Sequence, residues 1–404
     1  MFCSCGNDNE VINPDDDPVI DDYNPRGELV LTSEEAAIID RQNSSAFKML
    51  GFFNANSENY NFMISPLSAH YALGMLANGA SGTTLQEIKN VLGINSVDEF
   101  NALSKRLLCE MPDVDKKSVI HNANSLWFNK GFAPLSSFSS AIEEHYLAQT
   151  ASLDLTTPAA VKTINDWCAS VTDGFISNVV KRPYSPQTAV IMANAMYLKA
   201  QWQKPFEEKN TYEGSFTNSD GSESWVAMMT TSYITRYLSA SDYSIAALPL
   251  GNGAFEMTVI LPSADSSLDA VLASFDAQAW KSWKNSAVVK ECNICLPKYE
   301  ISTEELLTSY LRSAGLNTAF DIDKADFSAL AEKSLCIDDV LQSARIAVDE
   351  MGCEAAAVTV NLMSGANIGN KIEKVDFHVT RPFVFVIEEC STGAIMFMGR
   401  VNKL

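Results

Sequence analysis

The residues best suited to chemistry are four histidines, and their sequence contexts argue against catalysis. They are His70, His121, His145 and His378. A hydrolase needs a nucleophile with a general base within reach, yet none of these histidines stands in a Gly-x-Ser-x-Gly or zinc-binding motif. No phosphate-binding loop or dinucleotide-binding motif occurs either. We therefore predict that the chain is not an enzyme and uses no cofactor.

The nine cysteines are scattered, which does not indicate a disulfide framework. They are Cys3, Cys5, Cys109, Cys168, Cys292, Cys295, Cys336, Cys353 and Cys390. Cys292 and Cys295 have the spacing of a metal site, but they fall in a strand-like run, where positions three apart face opposite sides. We therefore predict free thiols and no bound metal. Cys353 lies in a segment that we expect to be exposed, where a thiol is open to oxidation.

The composition is that of a globular protein, since 47% of the 404 residues are hydrophobic and 20% are charged. The formal net charge of -21 argues against nucleic acid or an anionic membrane as a partner, because both require a basic patch. No apolar run reaches the length of about 18 residues that a transmembrane helix needs. The sequence therefore predicts no transmembrane helix.

Residues 1–28 differ in composition from the rest of the chain. They are acidic and interrupted by prolines, which predicts a disordered tail before a single domain of residues 29–404. Phe2-Cys3-Ser4-Cys5 is similar to the end of a bacterial lipoprotein signal, whose last Cys is lipidated, although the apolar stretch that precedes such a Cys is missing. We therefore expect an extracellular or cell-envelope protein, with a lipid anchor as one hypothesis.

Local signals predict the elements that begin the folded domain. Thr32 and Glu35 form a capping box, which predicts a helix from Ser33 to about Phe52. A short buried strand should then lead through Pro66 into a second, apolar helix. A later helix should end at Gly93.

The segment of residues 348–377 is the most unusual part of the sequence. It connects two strand-like runs, and connections longer than about 12 to 15 residues are usually functional or disordered. Within its first half, residues 355–360 are small or β-branched and uncharged, like a strand that must fit between two existing strands. Cys353, Ala355 and Ala357 would share one face of that strand, and Gly352 would supply a hinge. The alternative is an ordinary helix, because Ala is the best helix former.

The run from Glu350 to Ala357 resembles the hinge of the reactive-centre loop of serpins, the serine protease inhibitors. Further serpin-like motifs extend the resemblance from about Ser33 to the C-terminus. They are residues 61–68, 124–128, 164–167, 172–176, 194–206, 296–298, 325–328, 381–388 and 394–400. The resemblance implies an α+β serpin fold with a large, mostly antiparallel central sheet, further sheets and about eight to nine helices. The reactive-centre loop would be exposed near residues 350–376.

The resemblance also assigns roles to individual side chains. The hinge would comprise Glu350, Gly352, Cys353, Glu354, Ala355, Ala356, Ala357, Val358 and Thr359. The breach and shutter, at the top and centre of the main sheet, would comprise Ser65, Ser68, Asn194, Trp202, Lys298 and Gln342. Lys298 is expected to pair with Glu350, and an exposed ion pair would contribute at most about 1 kcal/mol. Gln342 stands where many serpins have a His, so a titratable group is lost while hydrogen bonding to Ser65 is retained.

A suicide mechanism is what the resemblance implies. A serine or cysteine protease would attack the loop, the hinge would insert as a new strand of the main sheet, and the covalent acyl-enzyme would be trapped. The family spacing of sixteen residues from Glu350 places the reactive bond at Ala366-Asn367. Leu362, Met363 and Lys371 are the alternatives.

The resemblance leaves the target and the partners open. Ala366 favours an elastase-like or subtilisin-like protease with a narrow specificity pocket, whereas Lys371 would indicate a trypsin-like one. A monomer is expected, with loop-sheet polymers as a second state. The rival hypothesis is a non-inhibitory serpin that acts as a carrier, chaperone or storage protein. Bulky or charged hinge residues would favour that rival, and the small residues here favour inhibition.

Overall fold

The computed structural model describes residues 24–57, 61–177, 179–353 and 372–404. Its α-helices within these ranges are α1 (Ser33–Asn56), α2 (Pro66–Gly79), α3 (Gly82–Leu92), α4 (Val97–Glu110), α5 (Ser136–Tyr146), α6 (Pro158–Val171), α7 (Leu268–Ser274), α8 (Ala277–Ser286) and α9 (Thr308–Ser313). Its strands are β1 (Phe62–Ile64), β2 (Val119–Asn129), β3 (Gln149–Leu153), β4 (Val190–Gln201), β5 (Tyr212–Thr217), β6 (Glu223–Ser239), β7 (Tyr243–Leu250), β8 (Phe255–Pro262), β9 (Val288–Pro297), β10 (Tyr299–Leu306), β11 (Asp339–Val348), β12 (Gly352–Cys353), β13 (Lys374–His378), β14 (Phe383–Glu389) and β15 (Ala394–Val401).

Local sequence signals account for the first helices. The predicted capping box is confirmed, because Thr32 accepts from the Glu35 N–H and the Glu35 carboxylate accepts from the Thr32 N–H. Helix α1 continues one turn past the predicted end, to Asn56. Helix α2 begins at Pro66 because Ser65 caps it and proline suits the first helical position. Helix α3 is followed by Gly93 in the left-handed conformation, with φ +66°.

The strands form two sheets. The larger sheet has nine strands in the order β1-β15-β14-β8-β7-β6-β9-β13, with β5 paired to β6. The smaller has six strands in the order β10-β11-β12-β4-β2-β3, with an additional pairing of β11 to β4. Most neighbours in both sheets are antiparallel, in agreement with the predicted fold class.

The six-stranded sheet is closed where β4 and β11 begin and split where they end. We call these two parts its lower half and its upper half. Residues Asp339 to Ser343 of β11 pair in parallel with Ile191 to Ala195 of β4. Above them the two strands no longer pair with each other, and the two residues of β12 lie between them. We call this upper opening between β4 and β11 the sheet gap. It is the feature on which the site depends.

Helices cover both faces of the split sheet. On one face, α2 is buried along almost its whole length and packs on the main core. On the other face, Ile164 and Cys168 of α6 pack with Ile191 and Ala195 of β4 in a second apolar cluster. Any strand added to the sheet gap must therefore be narrow on both faces.

The start of the described chain is packed on the domain. Residues 24–28, which the sequence places in a disordered tail, instead contact the fold: the Gly27 N–H donates to the Val114 carbonyl at 2.8 Å, and Asn24 Nδ2 donates to Asp115 Oδ1 at 2.7 Å. Residues 1–23, with the lipoprotein-like motif, lie outside the described residues. Within the described ranges, no helix is both long and apolar enough to cross a membrane.

Candidate functional site

The upper end of β11 reverses direction in a tight turn of residues 349–352, here called the upper turn. Asp349 Oδ1 accepts hydrogen bonds from the N–H groups of Met351 and Gly352 at 2.8 and 3.2 Å. The Asp349 N–H donates to the Gly352 carbonyl at 3.0 Å. An Asp side chain that bonds the backbone two residues on is a common way to stabilise a turn. The turn directs the chain back into the sheet gap.

Strand β12 is the start of the hinge, and it already lies inside the sheet. Cys353 faces Val348 on β11 and Ala200 on β4, and Gly352 faces Gln201. A Cβ atom on Gly352 would lie 2.3 Å from the Ala200 carbonyl oxygen and 2.6 Å from the Gln201 Cα. Only glycine allows this close approach of the two backbones. The predicted hinge glycine thus also has a packing role.

Trp202 lies directly after β4 and covers the upper turn. Its backbone N–H donates to the Met351 carbonyl at 2.8 Å, and its indole Nε1 donates to the Asp349 carbonyl at 2.8 Å. The side chain is fully buried, and its ring packs edge-on against Phe206 at 5.8 Å between ring centroids. Trp202 therefore ties the turn to the end of β4.

Glu350 forms the predicted contact with Lys298, but the contact is not an exposed one. Glu350 Oε2 lies 2.5 Å from Lys298 Nζ, and the two side chains are 8% and 38% exposed. Glu350 Oε1 accepts from the Thr211 hydroxyl at 2.8 Å. Burial acts to raise the pKa of Glu350, but the hydrogen bonds from Lys298 and Thr211 outweigh it and hold the pKa below its ordinary value of 4.5. The expected limit for an exposed pair therefore does not apply.

The expectation of an exposed Cys353 is wrong. The residue is 1% exposed, and burial raises the pKa of its thiol far above the ordinary value. Its side chain joins the main core because its neighbour across the strand pair, Ala200, faces the same way. Cys292 and Cys295 are likewise buried free thiols, and no group of metal-binding side chains occurs in the ranges that the structure describes.

Four predicted polar residues meet beneath the closed half of the sheet. We call Ser65, Ser68, Asn194 and Gln342 the central cluster. Gln342 Oε1 accepts from the Ser65 N–H at 2.9 Å, and Gln342 Nε2 donates to the Ser65 carbonyl at 2.7 Å. The Ser68 hydroxyl donates to Asn194 Oδ1. Because Gln342 and Asn194 are register partners on β11 and β4, the cluster bridges the two strands that border the gap.

The central cluster continues into residues to which the sequence analysis gave no role. Asn194 Nδ2 donates to Asn124 Oδ1, and Asn124 Nδ2 donates to the Tyr146 carbonyl at 2.7 Å. Asn124 belongs to the serpin-like motif at residues 124–128, but its pairing with Asn194 depends on the register of β2 against β4. Buried polar groups in a chain of hydrogen bonds stabilise one arrangement of the strands.

A second contact across the gap was also missed. Phe175 follows α6, and the centroid of its ring lies 4.8 Å from that of the Tyr197 ring on β4. The Arg345 guanidinium on β11 lies 4.4 Å from the centroid of the Phe175 ring. Arg345 Nη1 donates to the Phe175 carbonyl at 3.1 Å, and Nε donates to Glu300 on β10 at 2.8 Å. The arginine between Ala344 and Ile346 in β11 was the available signal. Phe175 therefore links the two edges of the gap.

Most of the hinge and the candidate reactive bonds lie outside the described residues. These are Glu354, Ala355, Ala356, Ala357, Val358, Thr359, Leu362, Met363, Ala366, Asn367 and Lys371. The structure describes the chain again from residue 372, just before β13, which pairs in parallel with β9 of the larger sheet. The two ends of the segment thus lie in different sheets.

Fold and site together define an α+β protein whose helix-covered sheet is split between two strands and holds the first residues of a long connection. Known proteins share this architecture. A native structure of tengpin, a thermophilic serpin, matches with a TM-score of 0.82 and 28% identity, over 95% of this chain and 97% of that one. Thyroxine-binding globulin in complex with thyroxine matches with a TM-score of 0.81 and 25% identity, over 91% of this chain and 99% of that one.

Sequence comparison gives the same result. The family described as "Serpin (serine protease inhibitor)" matches residues 40–404. Glia-derived nexin of Rattus norvegicus is 30% identical over 353 residues, which cover 85% of this chain and 87% of the relative. A serpin-like protein of Thermococcus kodakarensis is 29% identical over 380 residues, 93% of this chain and 87% of the relative. The chain therefore belongs to the serpin family, whose members are in general protease inhibitors and not enzymes.

Proposed function

We propose that the protein is a suicide inhibitor of serine or cysteine endopeptidases, which it traps as an acyl-enzyme. The observation that carries this proposal is β12: at the top of the sheet gap two hinge residues already pair with β4, and one of them, Cys353, also pairs with β11. Cleavage of the loop would free the rest of the hinge to follow them. The protease, still bound through its ester or thioester to the loop, would be pulled along with the inserting strand.

The register of β12 supports full insertion. Gly352 faces Gln201 and Cys353 faces Ala200. Ten more residues in this antiparallel register would bring Met363 opposite Val190, where β4 begins. Cys353, Ala355, Ala357 and Thr359 would then point to the main core, and their small size suits that packed face.

The same register bears on the reactive bond. Leu362 and Met363 would still lie beside β4, where an attached protease could not be accommodated. Ala366 would lie three residues past the position opposite Val190, the first residue of β4, and so clear of that strand. We therefore keep Ala366-Asn367 as the proposed bond and an elastase-like or subtilisin-like enzyme as the proposed target class. Lys371 remains the alternative, with a trypsin-like target.

The driving force would be new backbone pairing and apolar burial. The five parallel pairs between β11 and β4 must first separate by about one strand spacing, 4.8 Å. An inserted strand then pairs with both neighbours along its length, and each buried methyl or methylene group contributes about 0.8 kcal/mol. Insertion thus converts a split sheet into a continuous one.

A non-inhibitory role as a carrier, chaperone or storage protein is the second candidate. The likeness to thyroxine-binding globulin, solved in complex with thyroxine, shows that this fold also occurs in a protein that binds a small molecule. The uncharged run from Ala355 to Val360 favours inhibition, because a bulky or charged side chain there would block insertion.

The test is to mix the protein with elastase-like and trypsin-like proteases and to run denaturing gels. Inhibition predicts a stable covalent band, and mass spectrometry of the released peptide should place the cut after Ala366. The Ala357→Arg variant should be cleaved without forming the complex. The control Ala357→Ser, which keeps a small side chain at this position, should trap the protease. Cleavage of the unmodified protein without a complex, and without a rise in melting temperature, would instead support the non-inhibitory candidate.

The proposed location is outside the cell or in the cell envelope, with lipid attached to Cys5 as the mechanism of anchoring. Expression of the natural gene in its host, followed by fractionation and mass spectrometry of the N-terminus, tests this. A lipid-modified Cys5 in the membrane fraction is the expected result. Recovery of an unmodified protein from the cytoplasm would contradict the proposed location.

A further inference from the structure

The larger sheet contains two buried glutamates that face each other. They belong to the sheet that does not contain the sheet gap. Glu256 on β8 and Glu388 on β14 are register partners, and the two residues are 5% and 0% exposed. Like charges directly opposite in a sheet repel. A buried charge is also costly unless a partner compensates it. The two carboxylates therefore need neighbouring groups that compensate their charge.

Two basic side chains flank the pair. Arg236 Nη2 on β6 lies 2.5 Å from Glu256 Oε1, and Lys284 Nζ on α8 contacts Glu388 Oε1. The Arg236 guanidinium lies 5.5 Å from the centroid of the Trp283 ring, and Lys284 Nζ lies 5.4 Å from that of Trp280. We call Arg236, Glu256, Glu388 and Lys284 the buried quartet. The two glutamates face each other in its middle, and one basic side chain lies at each end.

The two carboxylates are not equally satisfied. Glu256 Oε1 also accepts from the Thr258 hydroxyl at 3.2 Å. Glu388 Oε2 is buried and has no hydrogen-bond partner among the residues that the structure describes. An ionised oxygen without a partner is unfavourable, whereas a protonated one no longer carries the charge. Glu388 is therefore the member of the quartet that can take up a proton.

Few other ionisable groups face the quartet. Strand β6 adds Tyr233, β14 adds Cys390, and the N-terminal segment brings Arg26 toward Cys390. Glu389, the next residue on β14, is equally buried, but its two oxygens accept hydrogen bonds from Ser391 and Thr392. The neighbouring glutamate is thus fully satisfied where Glu388 is not.

We propose that the buried quartet is a proton-binding site, which makes the native fold more stable in a mildly acidic medium than in a mildly alkaline one. The proton resides on Glu388 and relieves its repulsion with Glu256. The site lies in the sheet that does not border the gap, so it acts on overall stability and does not depend on the proposed inhibition.

The direction of the effect follows from linkage. Burial and the nearby Glu256, opposed by Lys284 and Arg236, raise the pKa of Glu388 from its ordinary value of 4.5 to about 7. A carboxyl group with a raised pKa in the folded state contributes stability that is fully present below pH 4.5. That stability is lost as the pH rises to 7. Each pKa unit is tenfold in the equilibrium constant, so the unfolding constant should rise about a hundredfold between these limits.

The test is urea-induced unfolding of the full-length protein from pH 4.5 to pH 8, compared with the Glu388→Gln variant. Glutamine has the shape of the protonated acid and no charge. We expect the variant to be more stable than the unmodified protein at pH 8 and to lose this part of the pH dependence. The matched control is Glu389→Gln, which should be less stable at every pH but keep the pH dependence. Unchanged pH dependence in Glu388→Gln would overturn the proposal.

A spectroscopic measurement covers the case in which unfolding is irreversible. Infrared difference spectra of the native protein between pH 5 and pH 8 should show the carbonyl band of a protonated, buried carboxyl group. The band should be absent in Glu388→Gln and present in Glu389→Gln. Its absence in the unmodified protein at pH 5 would also overturn the proposal. The stoichiometry of protease inhibition should be equal in all three proteins.

Discussion

The top and the centre of the six-stranded sheet join the same two strands by different chemistry. At the top, the upper turn is held by one ion pair, Glu350 with Lys298, and by the hydrogen bonds of Trp202. At the centre, the central cluster uses only uncharged side chains, and all four of them are buried. The top borders solvent through the half-exposed Lys298, whereas the centre does not.

This difference suits two different tasks. Hydroxyl and amide groups both donate and accept, so the central cluster can exchange partners when β4 and β11 separate. The ion pair of Glu350 with Lys298 cannot change partners in this way. Breaking it removes one restraint on the upper turn. We therefore expect the centre to determine the stability of the sheet and the top to determine how readily the hinge inserts.

The largest expected effect comes from Asn194→Ala. The substitution removes the acceptor of Ser68 and the donor to Asn124 inside the core. Two unsatisfied buried groups should lower the free energy of unfolding by about 3 kcal/mol, as measured by urea denaturation. Asn293→Ala is the control, because Asn293 bonds Asp376 at an exposed position, and it should change the value little. A loss below about 1 kcal/mol for Asn194→Ala would remove the distinction between centre and top.

Lys298→Ala should have the next largest effect. It leaves the buried Glu350 carboxylate with the Thr211 hydroxyl as its remaining side-chain partner, at a cost of about 2 kcal/mol. We expect faster conversion of the uncleaved protein to a loop-inserted form, followed by the loss of inhibitory activity with time. Lys374→Ala, which removes the more exposed pair with Glu291, is the control and should convert at the unmodified rate. Equal rates of conversion in the two variants would contradict the idea that the pair of Glu350 with Lys298 restrains insertion of the hinge.

A smaller effect is expected for Phe175→Ala. The ring packs between Tyr197 on β4 and Arg345 on β11, so its removal frees the two edges of the gap. We expect a loss of about 1 kcal/mol and a few-fold faster insertion. Phe132→Ala is the control, because Phe132 is also partly buried under a cation, Lys333, but away from the gap. A slower insertion in Phe175→Ala would show that the ring assists opening.

The smallest expected effect is the acid dependence of the top. The pKa of Glu350 is lowered below 4.5, so its ion pair contributes stability that is present above pH 4.5 and lost as the pH falls through the lowered value. Insertion should therefore accelerate below pH 4.5, and the acceleration should be absent in Glu350→Gln. The sign is opposite to that of Glu388, whose contribution is lost as the pH rises. An acid response that persists in Glu350→Gln would assign it to other carboxylates.

Local patterns were sufficient for several elements and for the family. The capping box of Thr32 and Glu35 depends on residues three apart, and α1 begins where it predicts. The Lys298 contact with Glu350 was expected from the family resemblance, but its burial was not, because burial depends on the packing of Thr211 and Phe206 around the upper turn. The exposure of Cys353 was predicted wrongly for the same reason. Its burial results from pairing with β4, which lies far away in the sequence, and with β11, which the upper turn places beside it.

The amino-acid sequence by itself determined the periodicity of the strands, the caps of the first helices, the small residues of the hinge and the serpin resemblance, since each depends on neighbouring positions or on a linear motif. Tertiary structure alone decided that Cys353 is buried, that Phe175 joins β4 to β11, and that Glu256 faces Glu388. These contacts join residues more than a hundred positions apart or depend on strand register. A shift of one residue in register would turn every side chain to the other face, and no local pattern specifies it.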